Sequence, residues 1–327
     1  MVVLYCKKRK KQEEKMKQVD VIIPVYRPTQ KLFTLLDALM EQTVPINQVF
    51  LINTEQKYFD GLIAGSNFWQ KYKKVMVKHI AKREFDHGYT RRRAVEEMKS
   101  PYFVMMTDDA LPTDKYLVER LLAPLLSGEA AISYARQLPA QDCGVIETYT
   151  RAFNYPPESK MKSAKDLETM GIKTFFASNV CAAYRRDIYE AAGGFVKKTI
   201  FNEDMLLARK VIDAGHKIAY VAEATVIHSH NYTGLQQLKR NFDLGVSHAQ
   251  FPEVFEGLKT ESEGIRLVKQ TSAHLISIGK PWLIFKLMWQ SGCKYIGYFL
   301  GKRYHNLPSK LVHMCSMNRD YWNRYGD

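Results

Sequence analysis

The chain carries few marks of an exported, disulfide-built or membrane-spanning protein. Its five cysteines, Cys6, Cys143, Cys181, Cys293 and Cys315, are odd in number and widely spaced. None forms a C-x-x-C pair, which argues against a disulfide framework or a cysteine-rich zinc site and for a reduced, cytosolic setting. No stretch reaches the ~18 uncharged apolar residues of a membrane-spanning helix. The apolar start, Met1 to Cys6, is too short for the hydrophobic core of a signal peptide. There is no internal repeat and no low-complexity segment beyond a basic start. Acidic residues are scarce: 34 Asp and Glu against 48 Lys and Arg leave a net charge of +14. That balance suits phosphate-bearing ligands or an anionic lipid surface. Much of it lies in Lys7, Lys8, Arg9, Lys10, Lys11, Lys15 and Lys17, a run that reads as a solvated tail over residues 1–18. Aromatics are not interleaved with this run and no recognised nucleic-acid module is present, so no nucleic acid is expected as a partner.

What is there is enough for a large core: 46% of the 327 residues are hydrophobic, and the length suggests two domains or one with a long extension. Val19 to Val25 is an apolar strand, and Leu32, Leu35, Leu36, Leu39 and Met40 then recur at helical spacing. Strands are expected at Gln48–Asn53, Val75–Ile80 and Tyr102–Thr107, and a helix at Tyr89–Lys99. Strand–helix–strand order predicts an α/β fold with a mostly parallel sheet covered by helices on both faces. Ligands of such sheets bind beyond the carboxyl ends of the strands. The middle third predicts a helix over Asp114–Leu126, a strand over Ala130–Ala135, a mobile loop from Phe153 to Lys165, a helix over Glu203–Ala214 and a strand over Ala219–Ile227. From Tyr232 onward the chain reads as mainly helical. Within Pro281–Gly301, Lys286, Gln290 and Lys294 recur every fourth residue and set one polar stripe on an otherwise apolar helix. Such a helix suits a lipid interface or packing against the core or a partner, and periodicity leaves both open.

Four constellations follow strands. Thr107-Asp108-Asp109-Ala110 ends an apolar strand, where carboxylates can hold Mg²⁺ or Mn²⁺ together with substrate phosphates. Phe201-Asn202-Glu203-Asp204 opens a helix, whose dipole favours the carboxylate anion, and such a carboxylate can act as a general base. Phe85-Asp86-His87-Gly88-Tyr89-Thr90-Arg91-Arg92-Arg93 places a glycine before a helix with three arginines in its first turns, a phosphate-binding arrangement. His228-Ser229-His230 follows the last strand and can supply a metal ligand. Each alone is also an ordinary helix cap, turn or structural pair; their order is the more specific signal.

With these segments the sequence resembles glycosyltransferase family 2, the inverting enzymes of the GT-A fold. Val21-Ile22-Ile23-Pro24-Val25-Tyr26 is similar to the family's opening strand, Thr107 to Ala110 to its metal motif, and Glu203-Asp204 to the motif that supplies its base. Phe85 to Arg91, Asp109 to Pro112 and Lys239 to His248 look closest to bacterial rhamnosyltransferases. The sequence departs from the family where Asn53-Thr54-Glu55 replaces a common Asp after the second strand. Thr107 stands at the first acidic position of the metal motif, and Arg92 where relatives often have Asn.

The resemblance implies a GT-A, Rossmann-like nucleotide-binding sheet within residues 19–230, with a nucleotide-binding half over 19–111 and an acceptor-binding half over 112–230, followed by a helical, membrane-associated region over 231–327. It implies a nucleoside-diphosphate sugar contacted by Pro24, Val25, Tyr26, Asn53, Glu55, His87, Arg91 and Asp108. Mg²⁺ or Mn²⁺ would be held by Asp109 with His228 or His230, and Asp204, with Glu203 beside it, would serve as catalytic base. The implied reaction is inverting hexosyl transfer, L-rhamnose from dTDP-rhamnose, onto a lipid-linked surface polysaccharide at the cytoplasmic face of the membrane. A UDP-hexose or UDP-N-acetylhexosamine donor is the alternative within the fold, and a non-catalytic binding or scaffold protein the alternative outside it.

Overall fold

The computed structural model describes residues 18–257 and 261–325. The basic run from Lys7 to Lys17 lies outside them. A single mixed sheet runs through the first two-thirds of the chain, in the order β3-β2-β1-β4-β8-β6-β9-β5 with β7 on β9. The strands are β1 Val19–Tyr26, β2 Ile46–Thr54, β3 Val75–Ile80, β4 Tyr102–Met106, β5 Leu111–Pro112, β6 Ile132–Leu138, β7 Lys160–Lys162, β8 Cys181–Arg185 and β9 Ile218–Ile227. β1 pairs in parallel with both β2 and β4, and β2 with β3. β8 is antiparallel to β4 and β6. The expected α/β sheet is therefore present, parallel from β1 to β4 but with antiparallel pairings around β8 and β9 where the sequence predicts a mostly parallel sheet, and the two halves predicted for 19–230 share it.

Alternation along β1 explains its central place. Val19, Val21, Ile23 and Val25 pack on one face with the helices Lys31–Met40 and Leu117–Leu126. Ile22 packs on the other with His87–Glu97 and Glu203–Asp213. A strand covered on both sides must be apolar throughout, as a buried parallel strand is. Its one charge, Asp20, is fully buried but accepts hydrogen bonds from Asn47 Nδ2 and the Ser100 amide, both at 2.9 Å. β1 has its successor β2 on one side and β4 on the other, so the crevice at their carboxyl ends is the switch point where such sheets bind ligands.

Two sequence expectations change. The helix expected from Asp114 starts at Leu117, because the Asp114 carboxylate accepts from the Tyr116 amide at 2.8 Å and holds a turn there. Phe153–Lys165 is no mobile loop: the Val145–Asn154 helix ends within it and β7 pairs with β9. Lys162 pins this segment, buried with its ammonium donating to the carbonyls of Lys173, at 3.1 Å, and Phe176. Such an anchor has no hydrophobic period to reveal it.

The C-terminal third is helical as expected, dominated by Gly234–Gln250 against Leu283–Gly301. Their axes approach closely because glycines lie at the contact. A Cβ on Gly297 would fall 2.1 Å from the Leu238 carbonyl oxygen, and one on Gly301 2.1 Å from that of Phe242. Among the described residues no helix is long and apolar enough to cross a membrane. We predict that Gly301→Ala lowers stability by about 1–3 kcal/mol through overpacking, read as a fall in Tm. Gly292→Ala, where a Cβ meets nothing within 4 Å, should gain about 0.5–1 kcal/mol from helix propensity. Equal Tm values for the two variants would contradict the close packing.

Candidate functional site

The Asp86 to Arg91 segment is built by capping. The Asp86 carboxylate accepts from the amides of Gly88 and Tyr89, each at 2.9 Å, and the Thr90 hydroxyl accepts from the Asp86 amide at 3.0 Å. Gly88 is required by packing, since a Cβ there would lie 2.1 Å from the Val196 carbonyl oxygen. This start sends His87 and Arg91 inward on one helix face. Burial lowers the His87 imidazole to about 4; Glu203 opposes this, and Arg91 and Arg240 reinforce it, so the ring is neutral near pH 7.

Arg91 Nε stands 3.2 Å from Glu203 Oε1, with both side chains buried. The contact lacks hydrogen-bond alignment at Nε, so it is a charge pair; Arg91 Nη1 donates to the His87 carbonyl at 2.9 Å. Glu203 also accepts from Asn179 Nδ2 at 3.0 Å. Burial pushes its carboxyl up, but Arg91 and His87 outweigh that and hold it below its ordinary value. Asp204 is the opposite case: burial, then the neighbouring Glu203 charge, raises it. Its carboxylate accepts from the Asn179 amide at 3.1 Å and the Met205 amide at 2.8 Å. Asn202, just before, is left-handed with φ 64° and is held by its Nδ2 donating to Ser247 Oγ at 3.2 Å. That turn sets Glu203 inward and leaves Asp204 partly exposed.

At the end of β4, Asp109 faces both histidines, Oδ1 3.5 Å from His228 Nε2 and Oδ2 3.5 Å from His230 Nε2. Gln137 Oε1 accepts from Arg151 and lies 3.0 Å from His228 Nδ1. Nδ1 therefore carries a proton and Nε2 points at the carboxylate, the usual orientation of a metal-binding imidazole. Burial and His228 lower His230 to about 4, leaving it neutral. Burial raises Asp109, but His228, His230 and Thr107 overcome it and the carboxyl lies well below its ordinary value. One carboxylate and two imidazoles, with ligand atoms within 4.8 Å of one another, fit a divalent cation.

The two acidic motifs meet at Ser178–Val180. Thr107 donates its amide to the Val180 carbonyl at 3.1 Å, and the Asn179 amide and side chain serve Asp204 and Glu203. Gln137, which orients His228, donates to Ser178 Oγ at 3.1 Å.

Beside this junction lies a cavity of about 430 Å³. Pro24, Val25, Tyr26, His87, Arg91 and Asp108, expected around a nucleotide, all line it. Asn53 and Glu55 do not. Asn53 is fully buried with Nδ2 3.0 Å from His79 Nδ1, and its neighbour Thr54 reaches the cavity instead. Burial, then the Asp109 charge, pushes Asp108 up to about 7.

Sequence reasoning missed Lys82, Arg240 and the far C-terminal residues Met317–Asp320, which also line the cavity. Arg240 has no carboxylate partner among the described residues and lies over the Phe201 ring at 4.7 Å. The C-terminal segment is held there by Asp243, which accepts from Ser316 Oγ at 2.7 Å and the amides of Met317 and Asn318 at 3.0 and 3.2 Å, and by the Lys82–Asp320 ion pair at 2.8 Å. The Lys239–His248 segment was the only pointer to Arg240 and Asp243.

Removing one partner of the buried Arg91–Glu203 pair strands the other. Arg91→Met should cost about 3–5 kcal/mol in urea unfolding, and Arg91→Met with Glu203→Met should recover much of it. A double variant no more stable than the single one would contradict direct pairing.

Comparison with known proteins agrees with this layout. Residues 20–193 match the family described as "Glycosyl transferase family 2". The chain is 36% identical over 310 residues to the O-antigen chain rhamnosyltransferase RfbN of Salmonella typhimurium, covering 94% of this chain and 96% of that one. It is 41% identical over 248 residues to the O-antigen chain rhamnosyltransferase WbaN of Salmonella anatum, covering 75% and 78%. The fold is similar to that of a mannosyltransferase from Pyrobaculum calidifontis solved with GDP-Man and Mn²⁺, with TM-score 0.54, 13% identity, and 94% and 85% of the two chains covered. It is also similar to residues 1–349 of S. aureus TarS, with TM-score 0.50, 13% identity, and 88% and 91% covered.

Proposed function

We propose, from the premise that the chain belongs to glycosyl transferase family 2 and is a nucleotide-sugar-dependent glycosyltransferase, that it moves L-rhamnose from dTDP-rhamnose onto a lipid-linked glycan of the O-antigen type, with inversion. The names of its two rhamnosyltransferase relatives support the sugar and the acceptor class. The observation that carries the mechanism is the Ser178–Val180 junction, which ties the Asp109 cluster to the Asp204 carboxylate.

In this reading the donor lies in the cavity at the ends of β1 and β4, its diphosphate toward Asp109. A bound cation would neutralise charge on the departing diphosphate. Asp109, His228 and His230 would hold it, and two imidazoles beside one carboxylate suit Mn²⁺ better than the oxygen-preferring Mg²⁺. Arg240, in no ion pair among the described residues, meets the same developing charge, while Arg91, tied to Glu203, positions His87 and the junction. Asp204 takes the proton of the acceptor hydroxyl as its oxygen bonds to the anomeric carbon. The bond from that carbon to the diphosphate oxygen breaks on the opposite face, and the configuration inverts. Glu203 acts through Asp204 as a positioning residue, because it is buried and its oxygens are engaged. The exposed apolar side chains of Leu283–Gly301 support a peripheral position at the inner membrane face.

Asp204→Asn should reduce kcat by about 10²–10⁴-fold while dTDP binding, read by thermal shift with Mn²⁺, stays. Only the ionised base works, and burial together with Glu203 raises the Asp204 pKa against the weaker opposition of Arg91. The acidic limb of the kcat–pH profile should therefore lie above the ordinary carboxylate range. Glu203→Gln removes a neighbouring negative charge and should move that limb to lower pH. A limb unmoved by this change, or normal turnover by Asp204→Asn, would remove Asp204 from the role of base.

A further inference from the structure

The helix Leu283–Gly301 is inside out. At 100° per residue, Phe285, Trp289, Ile296 and Phe299 share one side, and the polar stripe Lys286, Gln290, Lys294 lies across from it. The apolar side faces outward: Phe285 is 84% exposed, Trp289 69% and the preceding Trp282 62%. The polar stripe lines a second cavity of about 200 Å³, with Gln290 and Lys294 partly buried and Lys286 exposed. Its other walls include Glu147, His230 and Tyr232. Gln290 Nε2 donates to the Tyr232 carbonyl at 3.1 Å, and Tyr232 stacks on His230 with centroids 4.9 Å apart. One wall of the cavity is therefore His230, the same ring that faces Asp109.

The charges in this cavity are unevenly satisfied. Glu147 is paired with Arg151 at 2.7 Å, and Asp142 sits exposed at the lining. Among the described residues neither Lys286 nor Lys294 is in an ion pair or hydrogen bond. Lys294 is only partly exposed, with Glu147 attracting it at longer range and Arg151 and Arg240 as further cations around it. Two lysines with no ion pair or hydrogen bond among the described residues, Lys294 partly buried and Lys286 exposed, beside an apolar face turned outward, call for a ligand that is anionic where it meets the protein and apolar where it leaves it.

We infer that this cavity is the acceptor site, and that it holds the phosphate-bearing head of a membrane lipid that carries the acceptor sugar. The inference rests on the glycosyltransferase reading and adds the place and the residues. Lys286 and Lys294 stand eight residues apart, about 12 Å along the helix axis, the span of a sugar ring and a diphosphate. Lys294 and Lys286 meet the phosphates, and Trp282, Phe285 and Trp289 enter the bilayer beside the hydrocarbon chain.

The test is vesicle co-sedimentation of the full chain with dTDP and Mn²⁺ saturating, so that the donor cavity is filled. Phosphatidylcholine vesicles carrying farnesyl diphosphate are compared with vesicles carrying equal charge as phosphatidylglycerol, and inorganic pyrophosphate is the soluble competitor. Lys294→Gln should weaken binding to the farnesyl diphosphate vesicles roughly tenfold and change binding to phosphatidylglycerol vesicles by less than about twofold, because only a headgroup inside the cavity reaches it. Phe285→Ser with Trp289→Ser should weaken binding to both vesicles. An unchanged Lys294→Gln, or the same loss on both vesicle types, overturns the site. Pyrophosphate competing as well as farnesyl diphosphate overturns its lipid half. A thermal shift with dTDP and Mn²⁺ run alongside separates the cases: its persistence beside unaffected vesicle binding sinks only the acceptor site, whereas its absence in the wild type sinks the enzymatic reading itself.

Discussion

The site depends on three residues that carry no charge. Ser178, Asn179 and Val180 lead into β8, the antiparallel strand beside β4, and through them the metal-type cluster and the acidic helix start are one structure. Asn179 gives its amide to Asp204 and its side-chain amide to Glu203, and its own carbonyl oxygen accepts from Tyr184 at 2.6 Å. Ser178 receives Gln137, which fixes the tautomer of His228. Each carboxylate is thus held by donors already in place, and such preorganisation lets a polar site act without rearranging at the moment of reaction. Divergent acidities follow from the same arrangement. Arg91 holds Glu203 ionised, and that fixed charge beside Asp204, together with burial, makes Asp204 the more basic of the two.

The helical third completes what the sheet begins. Gly234–Gln250 brings Arg240 and Asp243 to the cavity of about 430 Å³, and Asp243 holds the segment after Ser316 against it. The glycine contacts at Gly297 and Gly301 hold Leu283–Gly301 close enough for its polar stripe to line the second cavity. That packing leaves the apolar face of the helix uncovered, an arrangement that costs solubility and suits a lipid surface.

The strands, their order along the chain and the four polar constellations were legible in the sequence because each is written locally, as an apolar run followed by a turn or cap. Asp204, Asp109 and the histidines stand in such local patterns. Asn53 misled because the rule that polar residues after a strand face the ligand is right only to one residue in register, and alternation turned Asn53 inward and Thr54 toward the cavity. Glu203 and Asp204 are adjacent and chemically alike, and only the left-handed turn at Asn202 separates a buried partner of Arg91 from a partly exposed carboxylate. The stripe at Lys286, Gln290 and Lys294 was visible, but a helical period does not say which side faces water. The return of Arg319 and Asp320 to the first strands joins positions far apart in the chain, and no local pattern announces it.

The central claim is that Asp109 and Asp204 address one donor from two sides. A crystal structure with dTDP and Mn²⁺, read by the anomalous signal of the metal, tests it most directly. The account predicts a single peak bonded to an Asp109 carboxylate oxygen and at least one of the His228 and His230 Nε2 atoms, with the diphosphate against it and Asp204 open to the far side of the sugar position. A peak away from Asp109, or a nucleotide whose diphosphate points away from Asp204, would contradict it.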